Sequence, residues 1–240
     1  MRTLEKILIL LSLSTNVFGQ RTDSKLRISR LTGGFYVFTT YNSFQGKRIP
    51  ANGMYLVTNQ GVIMFDTPWD TTQFQPLLDS IKNRHHKEVC LCIATHFHAD
   101  RTGGLEYYRK QGIKTYTTKQ TDNWCVRRKM PRAQFLIDKD TVFNVGQYSF
   151  QTYYPGPGHT ADNIIIWFEK EKILYGGCLI KSAEDDNLGN LSDANVKEYS
   201  TTIKHVMAKC NKPQYIIPGH GEWTDTTSLS HTLEMAEKLR

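Results

Sequence analysis

Thr95-His96-Phe97-His98-Ala99-Asp100-Arg101 sets two imidazoles and a carboxylate at alternating positions. The segment follows the apolar run Val89–Ala94 and precedes Gly103-Gly104. Such a loop at a strand end can turn two imidazoles onto one cation and aim the carboxylate at a neighbouring one. A lone His is more often a core or surface residue, but His96, His98 and Asp100 together at this spacing favour a metal site. Two further imidazoles stand in Gly/Pro-rich loops: His159 in Tyr154-Pro155-Gly156-Pro157-Gly158-His159-Thr160 and His220 in Ile217-Pro218-Gly219-His220-Gly221. Glycine and proline fix the backbone and remove bulk, as a ligand loop approaching an ion requires. Either loop alone reads as a turn that happens to hold a His; two beside the first motif do not. Cys178, after Tyr175-Gly176-Gly177, adds a soft anionic ligand suited to zinc. Six ligands exceed one tetrahedral ion. They suit two zinc ions, three imidazoles on one and Asp100, Cys178 and His220 on the other, with open positions for water.

These residues need strands that end beside one another. Strand signals run through Leu26–Tyr41, and Met54–Thr58 with Val62–Phe65 flank a hairpin turn. Helical spacing covers Thr71–Arg84, and the buried strand Val89–Ala94 leads into the His-rich loop. Helices are predicted at Leu105–Gln111 and Thr121–Lys129, with a strand at Lys114–Thr117 between them. The second half begins similarly, with hairpins over Thr141–Tyr154 and Asn163–Tyr175. A helix over Val196–Cys210, a strand at Tyr215–Ile217 and a last helix over Thr227–Leu239 follow. Two strand-led halves with helices outside point to two packed sheets. His85, His86, His205 and His231 fall on helices or helix ends and are assigned to surface or packing.

The 240 residues carry 30 Lys+Arg against 23 Asp+Glu, a net charge of +7, and 39% hydrophobic residues. This composition excludes a disordered chain, a collagen-like repeat and a disulfide-dense mini-protein. The basic run Arg127, Arg128, Lys129 and Arg132 reads as a solvated face, since no nucleic-acid motif or interleaved aromatic accompanies it. Residues 1–19 look like a secretory signal: Arg2 and Lys6 precede the apolar Ile7–Leu13, and Val17 and Gly19 stand before a cut at Gln20. The apolar run is about half of what a membrane span needs. Residues 20–240 then form one domain. Five cysteines in an exported chain leave at least one thiol unpaired. Cys90 and Cys92 read as small core residues sharing one strand face, and Cys125 and Cys210 as structural residues on helices.

The order H-F-H-A-D, P-G-H-T, G-G-C, P-G-H-G resembles the metallo-β-lactamase superfamily, and in detail its subclass B1, exported zinc enzymes that destroy β-lactam antibiotics. The resemblance runs from about Leu26 to the last helix and includes Met64-Phe65-Asp66-Thr67-Pro68. Thioesterase-like members carry a His after the motif Asp and commonly a bridging Asp at the Cys position. Here Arg101 and Cys178 stand there, as in B1, and His96 argues against B2. The resemblance implies an α/β fold, a four-layer αββα sandwich of two similar halves with the metals at one edge. It implies hydrolysis of the ring amide of penicillins, cephalosporins and carbapenems by a metal-bound hydroxide, in an exported, periplasmic enzyme. Nothing in the sequence demands more than a monomer, and its short apolar run and lack of a nucleic-acid motif point to no membrane anchor and no nucleic-acid partner. A thioester or lactone hydrolase of the same fold is the alternative. Asp100 would also orient the hydroxide or relay its proton. Arg101 would balance the charge of Asp100 and Cys178, and Asp66 would accept hydrogen bonds behind the ligands, unless it merely caps the following helix. Lys181 would anchor the substrate carboxylate. Asn190 would donate to the carbonyl oxygen. Phe44 would present an apolar contact at the tip of a flap between two strands.

Overall fold

The computed structural model describes residues 25–44 and 46–239. The leader read at residues 1–19 lies outside them. The first sheet runs in chain order: β1 (Leu26–Thr32), β2 (Phe35–Phe44), β3 (Lys47–Thr58), β4 (Gly61–Phe65), β5 (Val89–Ile93), β6 (Lys114–Thr118) and β7 (Phe135–Ile137). Its first four strands form an antiparallel meander and the remaining three add in parallel. The second sheet holds β8 (Thr141–Val145), β9 (Tyr148–Tyr153), β10 (Ile165–Phe168), β11 (Ile173–Gly177) and β12 (Tyr215–Pro218) in the order β12-β11-β10-β9-β8. Only β12 is parallel to its neighbour there, so a crossover must return the chain between β11 and β12. That crossover carries α5 (Val196–Lys209).

Helices cover the outer faces. Asp70 accepts from the Thr72 amide at 2.9 Å and starts a 3₁₀ turn that runs into α1 (Phe74–His85). Phe74, Leu77 and Ile81 of α1 pack, with Leu105 and Tyr108 of α3 (Leu105–Lys110), against Tyr55, Val62 and Met64 of the first sheet. On the other side Tyr199, Ile203 and Val206 of α5 and Leu229, Met235 and Ala236 of α6 (Ser228–Glu237) cover Ile165, Trp167, Leu174 and Ile216. Between the sheets, Phe35, Met54, Ile63, Phe65 and Ile93 meet Phe150, Ile166, Phe168, Tyr175 and Ile217. The order helix, sheet, sheet, helix is the αββα sandwich that the sequence led one to expect. At one rim the hairpin turns of the two halves interlock, the Asn59 amide donating to Gln147 at 3.0 Å and the Gly146 amide to Gln60 at 3.2 Å.

Local differences from the sequence reading have local causes. The strand signal over Leu26–Tyr41 splits at Gly33, whose φ of +49° turns the chain back on itself. The His-rich loop tightens into one helical turn, α2 (Ala99–Thr102). β7 was not anticipated. Cys90 and Cys92 do not share a face. Val62 pairs with Val89 but Ile63 with Leu91, so Cys90 is an extra residue that bulges toward the inter-sheet core, while Cys92 packs under α1 and α3. All five cysteines are free thiols, and all but Cys90 are buried. Cys125 lies in α4 (Lys119–Arg128) and Cys210 ends α5.

Candidate metal centre

Every sequence-predicted ligand follows the C-terminal end of a strand: His96, His98 and Asp100 after β5, His159 after β9, Cys178 after β11 and His220 after β12. Strands from both sheets thus end at the rim opposite the interlocked turns. The two halves are tied there by the Ile164 amide, which donates to the Thr95 carbonyl at 3.0 Å.

The three imidazoles of the first set converge. His98 Nδ1 lies 3.2 Å from His96 Nε2 and 3.2 Å from His159 Nε2. Burial pushes the pKa of His96 and His159 well below the ordinary imidazole value, and neighbouring His98 and Lys181 add to the shift. Three ring nitrogens crowd together where burial disfavours a proton on two of the rings, an arrangement that suits a cation. In the second set, Cys178 Sγ is 3.4 Å from Asp100 Oδ2 and 3.3 Å from His220 Nε2, and those two atoms are 3.1 Å apart. His96, Asp100 and Cys178 present ligand atoms within 4.8 Å of one another, so the two sets abut. Burial opposes the charge on Asp100, but Arg101 and His220 hold its carboxyl well below the usual range. Burial also opposes a proton on His220, yet the charge of Cys178 and hydrogen bonds to Asp100 and Cys178 raise its pKa to about 9.

Arg101 is fully buried behind this second set. It donates to the carbonyls of Asn52 at 2.6 Å and Gly219 at 2.8 Å, and pairs with Asp100 at 2.8 Å and Asp66 at 3.4 Å. Asp66 is not a helix cap; Asp70 takes that place. Its carboxylate accepts from the Thr95 amide at 2.7 Å, the Thr95 hydroxyl at 2.9 Å and the Tyr175 hydroxyl at 2.7 Å. Its φ of +62° is a conformation Asp tolerates better than most residues. Asn52 donates to the carbonyls of Pro218 at 3.1 Å and Gly221 at 2.9 Å, which fixes the His220 loop. His220 Nδ1 faces the Pro50 carbonyl at 2.7 Å, leaving Nε2 for the site. A Cβ at Gly219 would stand 2.6 Å from the Cys178 amide and 2.9 Å from the Arg101 guanidinium, so no other residue fits there.

A cleft of about 730 Å³ opens over both sets. Phe44 reaches it from the end of β2, exposed, with its ring 6.5 Å from that of Trp69. Lys181 lines it while only 6% exposed, and burial lowers the pKa of its ammonium. Asn190 lines it from the segment before α5; its Oδ1 accepts from the Ser192 amide at 3.1 Å, which leaves the amide NH2 as the donor. Asn52, Thr95, Tyr175, Trp69 and Asp193 are parts of the site that motif reading passed over. The basic run is not wholly solvated either: Arg132 forms a fork with Asp122 at 2.8 Å on both arms, and Arg128 pairs with Asp193 at 2.5 Å. His85, His205 and His231 serve packing, each hydrogen-bonded to Tyr55, Pro155 or Asp185 respectively.

Residues 47–220 match the profile of the metallo-beta-lactamase superfamily. A metallo-beta-lactamase type 2 of Elizabethkingia meningoseptica is 44% identical over 225 residues, 94% of this chain and 90% of the relative. Metallo-beta-lactamase IND-1 of Chryseobacterium indologenes is 40% identical over 208 residues, 87% of each chain. The crystal structure of metallo-beta-lactamase IND-7 superposes with a TM-score of 0.86 at 39% identity, covering 91% of this chain and 100% of the other. With the ligand order, the sandwich and the paired sets all in agreement, the chain belongs to the metallo-β-lactamase superfamily, in its B1 branch.

Proposed function

We propose that this protein is a dizinc β-lactamase that opens the ring amide of penicillins, cephalosporins and carbapenems and so confers antibiotic resistance. The observation that carries the reading is the pair of abutting ligand sets at the floor of a cleft that also holds the buried ammonium of Lys181. His96, His98 and His159 would hold one ion, and Asp100, Cys178 and His220 the other. Zinc in these sets supplies Lewis acidity, toward water as nucleophile and toward the lactam carbonyl.

The chain's own residues do the rest. Lys181 Nζ receives the carboxylate that β-lactams carry beside the ring nitrogen, a charge pair strengthened by the low exposure of the ammonium. The Asn190 amide nitrogen donates toward the carbonyl oxygen as negative charge grows on it. Asp100, held by Arg101 and His220, keeps an ionised oxygen over the site that can orient a water molecule or take its proton. Phe44 and Trp69 give the cleft an apolar wall that displaces water from the bound ring. Arg101 and Asp66 hold ligands and loops in register. The leader signature at residues 1–19 supports export to the periplasm, where the protein would act as a monomer on small-molecule substrate.

Hydrolysis of a carbapenem, followed by loss of its ring absorbance, tests the reading. Turnover is expected to vanish with a chelator, return with zinc, and fall sharply in Cys178→Ser. A zinc-loaded protein that leaves all three β-lactam classes intact while cleaving a thioester or a lactone would overturn it.

A further inference from the structure

The four imidazoles of the centre differ in what stands behind them. His98 turns Nδ1 toward the other two rings of its set, which leaves Nε2 as the nitrogen that can donate to a partner behind the ring. His96 Nδ1 has the Thr95 hydroxyl at 3.4 Å, and His220 Nδ1 has the Pro50 carbonyl at 2.7 Å. Nδ1 of His159 has no partner among the described residues. His98 alone of the four is backed by a carboxylate, with Nε2 3.1 Å from Asp193 Oδ2. It is also the most open of its set, its side chain 19% exposed. The ring with the most freedom is the one with the charged partner.

Asp193 in turn is held from the opposite half. Its other oxygen lies 2.5 Å from the guanidinium of Arg128, the last residue of α4. That guanidinium rests 5.7 Å from the ring centre of Phe97 and 5.6 Å from that of Trp124. The two rings stack at 5.4 Å and 20°. Phe97 stands between His96 and His98 in the chain, so the cation is seated on the loop that carries the ligands. A planar guanidinium fork on aromatic faces has one preferred orientation, which a lysine would not reproduce.

We propose that Arg128 is a positioning residue for His98: through Asp193 it fixes the ring proton on Nε2 and aims Nδ1 at the three-imidazole site. The inference rests on reading His96, His98 and His159 as a metal site. Arg128 is about half exposed, its side chain at 49%, so the ion pair contributes little to folding stability. Its effect is on ligand geometry, which separates a positioning role from a structural one.

The test is metal titration of metal-free protein with Co2+ against a competing chelator. The thiolate charge-transfer band reports the Cys178 site, and the d–d bands report the three-imidazole site. Arg128→Gln keeps a planar group over the rings and removes the charge; Arg128→Lys keeps the charge and removes the fork. Arg128→Gln is expected to weaken the three-imidazole site roughly tenfold, the low end of what partners behind a ligand contribute. The Cys178 site should keep its affinity, and the metal-free melting temperature should stay within about 2 °C. Arg128→Lys should fall between parent and Arg128→Gln. Imidazole nitrogen NMR of metal-free protein should show His98 as the Nε2–H tautomer in the parent and as a mixture in Arg128→Gln. Adding Asp193→Asn to Arg128→Gln should cost no more than Asp193→Asn alone. Unchanged affinity and tautomer, or an equal loss at both metal sites, would overturn the proposal. A parent protein that takes up no metal would instead overturn the reading of the imidazoles on which it rests.

Discussion

Arg101→Ala is the substitution with the most calculable result. The guanidinium is fully buried, pairs with two carboxylates, and holds two backbone carbonyls. Removing one member of a buried ion pair costs about 3–5 kcal/mol, because the other charge is left without compensation. At about 2–4 °C per kcal/mol for a domain of this size, metal-free Arg101→Ala should melt roughly 6–20 °C below the parent. Metal changes the balance in a defined way. A divalent cation on Asp100, Cys178 and His220 gives Asp100 a new positive neighbour, but Asp66 is no ligand and gains none. About half of the loss should therefore be recovered on zinc loading, and the melting shift caused by zinc should be larger in the variant than in the parent. Calorimetry of both proteins, with and without zinc, measures all four states. A metal-free variant that melts within about 2 °C of the parent, or one that loses as much with zinc as without, would refute the reasoning.

Other expectations follow from the same geometry. His220 carries a proton in the metal-free site, with a pKa of about 9, and must lose it to bind metal. Affinity at the Cys178 site should therefore rise with pH, up to roughly tenfold per unit between pH 7 and 9 from this group alone, and calorimetry in buffers of different ionisation enthalpy should record the released proton. Lys181→Ala should raise KM about tenfold or more while kcat changes less, since the ammonium binds a part of the substrate remote from the scissile bond; an equal fall in kcat with KM unchanged would speak against an anchoring role. Gly219→Ala should lower both stability and occupancy of the Cys178 site, measured by melting and metal content, because the added methyl meets Cys178 and Arg101.

All six candidate ligand positions are legible in the sequence because each lies in a short segment flanked by Gly or Pro, or directly after an apolar run, where a His or Cys has no obvious packing duty. The residues that hold them are not. Asn52 is one asparagine in a strand, and its part emerges only through bonds to a loop 166 residues away. Tyr175 reads as ordinary core, yet its hydroxyl joins Asp66 across the inter-sheet space. Arg128 sits in a run of cations that ordinarily faces water, and what draws it inward is a carboxylate 65 residues further along the chain. The main helices and the hairpins are readable from periodicity. β7, three residues long, offers too few positions for any period to show, and the bulge at Cys90 is a matter of register with a neighbouring strand, which propensity does not encode.

The interlocked turns around Gln60 and Gln147 give the molecule two ends of opposite character. Substrate traffic belongs to one; the other is knitted shut by short turns that carry no ligand. A tether placed on those turns, whether an affinity handle, a dye or an immobilising linker, would leave the mouth of the cleft facing away from its support. The same end is where added sequence would be least felt by the chemistry.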